Sequence, residues 1–478
     1  MTAQAPADLP LPGQRRAWWL REALAAESPS QLTPSLFGDV SADVAIVGGG
    51  YTGMWTAYFL GEMAPEARIV LLEADICGGG PSGRNGGFLH GWWEYLPYLA
   101  ERYGPEDALR IAQASDEVVD GIGEWCRQHG VDAWFQRAGY LRVNAFPNVP
   151  NDWRGTVAEL DRLGAPGQLR HFDRRLVQEM CASPAFGDGV FMPSAATVQP
   201  ALLARGLRRV LIKRGVEIHE RTPVHRQQTR SRGTELSTPR GTVTADRVVL
   251  AANAWAAGWP GFRTRMLAWG SYIILTEPIP DRLAELHWTG GEAIADSRFT
   301  ISYFRTTRDG RIAFGAGVGA AGYGGRIGPV FTHDHRAIER VAANFRHLFP
   351  MLADVRIEDA WGGPIDITAD RFPEIGSTHG GRVLYAHGFA GNGVGPARLA
   401  GRILAARIAG GGDPIAFLPL VGRRQRFLPP EPFRWIGARA IREALIRQDD
   451  ALDAGRRPGI LTRLVARLPG LLGYRFRH

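Results

Sequence analysis

An α/β architecture is written into the residues between Asp43 and Glu73. The run Asp43-Val-Ala-Ile-Val47 is apolar and β-branched, as a buried parallel strand requires, and it ends in glycines at 48, 50 and 53. Met54 to Gly61 then reads as a helix, and Ile69-Val-Leu-Leu-Glu73 as a second strand closing on an acid. Strand, glycine turn, helix, strand and acid, in that order, make a Rossmann-like unit that holds a dinucleotide. Further strand–helix alternation around residues 190–260 and 360–412, with strands dominating from about Ser271 to Gly315, predicts a discontinuous nucleotide domain interrupted by a second, sheet-rich one.

Each part of the first unit has a physical duty. Gly48 permits the tight strand-to-helix turn, Gly50 lets the backbone approach a pyrophosphate, and Gly53 lets the helix pack closely on its strand. Tyr51 and Thr52 open the helix, where unpaired N–H groups and the positive end of the dipole favour phosphate. Glu73 stands where a carboxylate binding a ribose is required.

The remaining elements follow along the chain. Residues 1–40 read as an irregular N-terminal arm with one short amphipathic piece around Trp18 to Ala26. Pro105 to Gly130 spaces Ala108, Ile111, Ala112, Val118, Ile122 and Trp125 on one helical face. Tyr140-Leu-Arg-Val reads as a strand, Gln199 to Gly215 as a helix leading into the strand Val216–His219, and Val243 to Ala252 as another strand. Val383-Leu-Tyr-Ala precedes the glycine-rich segment from His387 to Gly393 and a helix from Pro396 to Ala409. The nucleotide domain is therefore expected from 41–90, 190–260 and 360–412. An inserted α+β substrate domain with a mixed or antiparallel sheet is expected from 91–189 and 261–359, and a basic, amphipathic helical extension over 413–478.

Composition narrows the class. A chain of 478 residues with 45% hydrophobic and 22% charged residues has enough apolar content for two or three packed domains. No apolar run approaches the length of a membrane span, and the first forty residues lack the apolar core of a signal peptide. Cys77, Cys126 and Cys181 are too few and too scattered for a disulfide framework or a zinc site, which points to a reducing cytoplasm and no metal. The net charge of +8 is matched by the stretch from Arg423 to His478 alone, where thirteen arginines face five acids. No recognition motif or aromatic-interleaved basic stretch directs that charge to nucleic acid.

Three glycine clusters must be sorted. Gly78 to Gly87 follows the second strand and includes Ser82, Arg84, Asn85 and Gly86, which suits close approach to a large ligand, with Arg84 facing a diphosphate. Gly317 to Gly322 also has the Gly-x-Gly-x-x-Gly spacing, but neither helix nor acid follows, so it reads as a strand end and loop. Gly388 to Gly395 leads into a helix whose N-terminus can stabilise negative charge on a buried ring system.

These motifs, with Asp370-Arg-Phe-Pro-Glu-Ile-Gly376, resemble the D-amino-acid-oxidase-like superfamily of FAD enzymes, and within it the gamma-glutamylputrescine oxidoreductase branch, whose loop also reads Ser-Gly-Arg-Asn-Gly-Gly. The resemblance runs from about Trp18 to Ala409. It implies a Rossmann-like FAD-binding domain of the glutathione-reductase type, with Glu73 on the adenosine ribose and the turn Gly391-Asn392-Gly393 facing the pyrimidine side of the flavin. Some relatives tether FAD through a late cysteine or a histidine in the first loop. No cysteine follows Cys181 here and position 85 is Asn, so FAD is expected to be held non-covalently.

The activity so implied is oxidation of a carbon–nitrogen bond of a small-molecule amine or amino acid by hydride transfer to flavin, with oxygen or a quinone as electron acceptor. Candidate substrate contacts are Tyr272, Tyr303 and Arg305 on the return strands, Arg305 roughly matching a carboxylate-gripping arginine of glycine-oxidase-like relatives, with His387 at the flavin edge. Trp92, Trp93 and Trp361 read as core or as a pocket wall. Lys213, the single lysine, falls in a polar helix away from any flavin, so the oxygen-activating lysine of sarcosine-oxidase-type relatives has no counterpart. The C-terminal stretches pair Phe433, Ile436, Ala440 and Leu445, and Ile460, Leu461, Leu464, Val465 and Leu468, on apolar faces. They read as helices packed on the FAD domain, or as a peripheral contact with an acidic membrane surface at the inner face.

Overall fold

The computed structural model describes residues 3–4, 16–27, 33–146, 151–423 and 425–475. The expectations for most of the arm before Arg16, for Arg424 and for the last three residues lie outside them.

The first sheet has a parallel centre, ordered Glu217–His219, Ile69–Leu72, Val40–Val47, Gly241–Leu250 and Val383–His387. Its strands are buried on both faces, and the two-residue period divides their side chains. Val44, Ile46, Ile69 and Leu71 pack with the helices Tyr51–Met63, Pro105–Gln128, Pro200–Lys213 and Val394–Ala409. Ala45, Val47, Val70 and Leu72 face a second core containing Leu236, Trp259 and Phe262. The strand Gly241–Leu250 serves two partners along one edge. Thr234–Thr238 runs antiparallel to its first half, and Val383–Tyr385 parallel to its second.

The second sheet is mixed, in the order Ile357–Thr368, Met266–Thr276, Ile312–Ala316, Ser302–Thr306, Ala293–Asp296, Tyr140–Val143, Gly189–Met192 and Arg170–Phe172. All pairs are antiparallel except Ala293–Asp296 with Tyr140–Val143. The amphipathic helix His335–Leu348 covers one face through Val341, Phe345 and Leu348, packed on Tyr272, Ile274, Phe304 and Phe314. Residues of opposite parity, such as Ser271 and Tyr303, point the other way.

Two differences from the sequence division have a plain cause. A boundary at 360 cuts the strand Ile357–Thr368, which belongs wholly to the second sheet, so sheet membership changes between Thr368 and Glu374. The helix Phe433–Asp453, expected to pack on the nucleotide domain or to meet a membrane surface, packs on the second sheet. Ala438 joins Leu267, Trp269 and Ile367, while Phe433 and Ile436, expected on the same face as Leu445, are exposed.

Candidate functional site

Two cavities of about 210 and 220 Å³ lie side by side. They share a wall made of Pro81, Arg84, Asn85, Pro364, Ile365, Gly391 and Val394.

The first cavity opens at the carboxyl end of the parallel strands. Gly48, Gly50, Tyr51, Thr52, Glu73, Ser82, Arg84, Asn85, Gly391 and Gly393, all named from the sequence as FAD contacts, line it. Gly48 has φ +114°, and a Cβ there would lie 2.5 Å from the Ala251 carbonyl oxygen. A Cβ on Gly53 would lie 2.0 Å from the Gly48 carbonyl oxygen, so Gly53 serves helix–strand packing and does not line the cavity. Gly50 differs from both, since a Cβ there meets only Ser82 Oγ, at 3.1 Å, and would otherwise extend into the cavity region.

Glu73 accepts hydrogen bonds from the N–H groups of Gly49, at 2.7 Å, and Asp75, at 2.8 Å. Burial nonetheless pushes its carboxyl up to about 7, against the lowering by those two donors. Several loop residues turn inward to the backbone. Ser82 Oγ accepts from the Tyr51 N–H at 2.9 Å, and Asn85 donates to the carbonyls of Pro81 and Ser82 while accepting from the Gly87 N–H. Arg84, buried and pushed down to about 10, donates to the carbonyls of Gly79 and Gly362. These three therefore shape the loop that borders the cavity.

The cavity also presents polar atoms that the described residues do not satisfy. Asn253 Oδ1 and Trp255 Nε1 are buried without a hydrogen-bond partner, and both residues line it. With a carboxylate at one end, an uncrowded Gly50 and two helix N-termini, at Tyr51 and Val394, this lining fits a dinucleotide such as FAD.

The second cavity is polar and aromatic. Tyr303, a candidate substrate contact, lines it, as do Gly86 and Asn392, which were expected at the flavin, together with His90, Glu94, Tyr95, Tyr140, Arg142, Trp269, Ser271, Arg371 and Arg442. Tyr303 Oη lies 2.8 Å from Ser271 Oγ, and its ring lies 3.2 Å from where a Cβ on Gly86 would sit. Glu94 and Arg142 form a part-buried ion pair at 3.3 Å. His90 Nδ1 lies 3.0 Å from the Gly91 carbonyl, which can only accept, so Nδ1 carries the proton and neutral His90 keeps its lone pair on Nε2. Its ring stacks on Tyr140, and burial holds its pKa below the ordinary histidine value.

The other candidates, Tyr272 and Arg305 for the substrate and His387 for the flavin edge, lie elsewhere. Tyr272 is fully buried against the covering helix and donates to the Val330 carbonyl, because its parity on Met266–Thr276 is opposite to that of Ser271. Arg305 shares the face of Tyr303 but is buried, donating to the carbonyls of Val198, at 2.6 Å, and Thr306, at 3.0 Å. Burial pushes it down to about 9. His387 is buried against Glu374, at 3.1 Å, and stacks on Tyr385. None of the three lines either cavity. Trp92, Trp93 and Trp361 are core, with Trp361 Nε1 donating to the Arg84 carbonyl, and Lys213 is exposed.

The residues that were missed share a reason. His90, Glu94 and Arg142 sit on elements with no motif of their own, and Arg371, inside the quoted Asp370–Gly376 motif, gave no sign of its function. Its φ of +60° is rare for a non-glycine residue and visible only in three dimensions.

Comparison with known proteins agrees with this geometry. The family model described as DAO, FAD dependent oxidoreductase, matches residues 43–407. The chain is similar to the protein named "Probable oxidoreductase OrdL" of Rhizobium meliloti, with 30% identity over 85% of this chain and 90% of that protein. It is similar to gamma-glutamylputrescine oxidoreductase of Escherichia coli, with 28% identity over 80% and 88% of the two chains. Among solved structures, glycine oxidase from Geobacillus kaustophilus superposes with a TM-score of 0.64 at 20% identity, over 81% of this chain and all of that one. L-proline dehydrogenase from P. horikoshii gives 0.64 at 18% identity, over 81% and 98%. The glycine-bordered groove and the residues matched together lead to one conclusion: the chain belongs to the DAO family of FAD-dependent oxidoreductases.

Proposed function

We propose that this protein oxidises the carbon–nitrogen bond of a small amine or amino acid, holding FAD non-covalently in the first cavity and the substrate in the second. The observation that carries this reading is the shared wall from Pro81 to Val394. A dinucleotide groove on one side meets a pocket of tyrosines, arginines and a neutral histidine on the other. The similarity to gamma-glutamylputrescine oxidoreductase supports the substrate class.

Bound FAD supplies the hydride acceptor, and the resulting imine is hydrolysed by water. The chain's own residues do the rest. Glu73 would hold the ribose by accepting from its hydroxyls, and the N-terminus of Tyr51–Met63 would stabilise the diphosphate. The helix Val394–Ala409, entered through Gly391-Asn392-Gly393, directs its positive end to the shared wall, where it would stabilise negative charge on a bound flavin. His90, neutral at physiological pH, accepts the proton of the substrate ammonium at Nε2, because an amine must be unprotonated to release hydride. The rings of Tyr140, Tyr303 and Trp269 exclude water around the reacting carbon.

An anaerobic screen of amines and amino acids for bleaching of the flavin absorbance tests this reading without reference to the acceptor. A holoenzyme that no amine bleaches would refute it.

A second reading, a dehydrogenase passing electrons to a membrane quinone, is favoured by the last helix, Ile460–Leu471. Ile460, Leu461, Leu464, Leu468 and Leu471 are exposed on it, with Arg463 and Arg467 among them. No helix of the described residues is long and apolar enough to cross a membrane. Faster reoxidation by a soluble quinone than by oxygen, with sedimentation on anionic vesicles lost in Leu464→Glu, would select this reading.

A further inference from the structure

The family match ends at residue 407, but the wall of the second cavity does not. Arg442 and Leu445 line it from the helix Phe433–Asp453.

That helix is fastened to the cavity rim. Asp449 is fully buried and accepts from the N–H groups of Phe299 and Thr300, both at 3.0 Å, and from Thr300 Oγ1 at 2.6 Å. Asp453 takes both Nη groups of Arg298 at 2.7 Å, a forked pair. Phe299 and Thr300 are themselves lining residues, so the anchor and the pocket are one structure. Ala438 packs beside Trp269 and Ile367, two more lining residues.

The charges facing the cavity do not balance. Its lining holds one carboxylate, Glu94, which pairs with Arg142, against four arginines, Arg84, Arg142, Arg371 and Arg442. Arg371 is held at a left-handed φ of +60°, a strained conformation that the surrounding packing must enforce. Arg442 Nε donates to the Val318 carbonyl at 2.7 Å, which fixes the stem. Among the described residues no carboxylate pairs with Arg442, and its terminal nitrogens make no hydrogen bond. A cation so placed in a part-buried wall is complementary to an anion in the pocket.

We propose that the helix Phe433–Asp453 is part of the substrate-binding apparatus, with Arg442 gripping a carboxylate remote from the oxidised carbon–nitrogen bond. Leu445, one turn further along the helix, supplies apolar contact for the chain joining the two ends. The substrate class is thus an amine or amino acid bearing a terminal carboxylate. This deepens the amine-oxidising reading and rests on it.

The test uses the flavin-loaded full chain and two unreactive probes of one shape, the anion butyrate and its neutral amide butyramide, titrated against the flavin absorbance. The wild type is expected to bind butyrate more tightly than butyramide. Arg442→Gln is expected to weaken butyrate about tenfold or more, the loss of one charge-assisted hydrogen bond, with butyramide changed by less than about twofold. Arg442→Lys should restore part of the difference. Arg442→Met keeps the apolar stem and gives the same selective loss should the Gln variant shed its flavin. Equal weakening of both probes, or of neither, overturns the proposal. Because neither probe is oxidised, this outcome is independent of whether any amine bleaches the flavin.

Discussion

Glycines 50 and 53 belong to one motif but carry different loads, and alanine at each separates them. At Gly53 the added carbon would lie 2.0 Å from the Gly48 carbonyl oxygen and 3.0 Å from Ile46 Cγ2. A backbone oxygen cannot move away without opening the strand–helix turn, so Gly53→Ala is expected to cost about 3 kcal/mol of stability or more. At Gly50 the carbon would meet only Ser82 Oγ, at 3.1 Å, and φ of −84° with ψ of −178° suits alanine. The cost there is the loss of a tolerated N-cap glycine, about 0.5–1 kcal/mol. The added methyl instead enters the space a pyrophosphate must occupy. Overpacking of 1–3 kcal/mol corresponds to an FAD affinity about five- to 150-fold weaker. Thermal melts of flavin-free protein measure the first effect, and quenching of FAD fluorescence on titration measures the second. Gly53→Ala should lower the melt strongly, while Gly50→Ala melts near wild type and binds FAD weakly. If Gly50→Ala bound FAD as the wild type does, the placement of the diphosphate over Gly50 would be wrong.

Three more outcomes follow from the same geometry. Glu73, raised to about 7 by burial, binds its proton more tightly folded than unfolded, so its contribution to the flavin-free protein is fully present below about 4.5 and lost as pH rises to about 7. Glu73→Gln should therefore remove about one proton from the pH slope of stability in that window, as urea titrations at pH 5 and 7 would reveal. Arg305→Met removes the donor that holds the Val198 carbonyl and should lower stability by about 1–3 kcal/mol while leaving the amine KM within about threefold. A rise in KM well beyond that, without loss of stability, would return Arg305 to the substrate. Asp449→Ala strips the acceptor from the buried N–H groups of Phe299 and Thr300 and should cost about 1–3 kcal/mol. Limited proteolysis should then cleave first in the C-terminal helices, with bound flavin retained.

The nucleotide side was legible because its requirements are local. A glycine that must adopt φ +114°, or lie within 2–3 Å of a carbonyl, has no substitute, and the acid at the end of the second strand is placed by the strand itself. Even there, the sequence could not tell that Ser82, Asn85 and Arg84 hydrogen-bond to backbone groups of the protein. The substrate side was largely illegible. Tyr272 and Ser271 are adjacent, and only the parity of their strand against the covering helix sends one to the core and the other to the pocket. Arg305 and Arg142 are both strand arginines, and what separates them is that one donates to the Val198 carbonyl while the other reaches Glu94.

The amino-acid sequence alone determined the α/β class, the dinucleotide groove and the family, since those rest on short-range rules of backbone conformation and spacing. Tertiary structure decided which side chains meet in the second cavity and that a helix beyond the family's reach forms part of its wall. Asp449 and Thr300, 149 residues apart, become partners only through the packing of that helix on the second sheet. Such a contact depends on the register and crossing of whole elements, which no local pattern encodes.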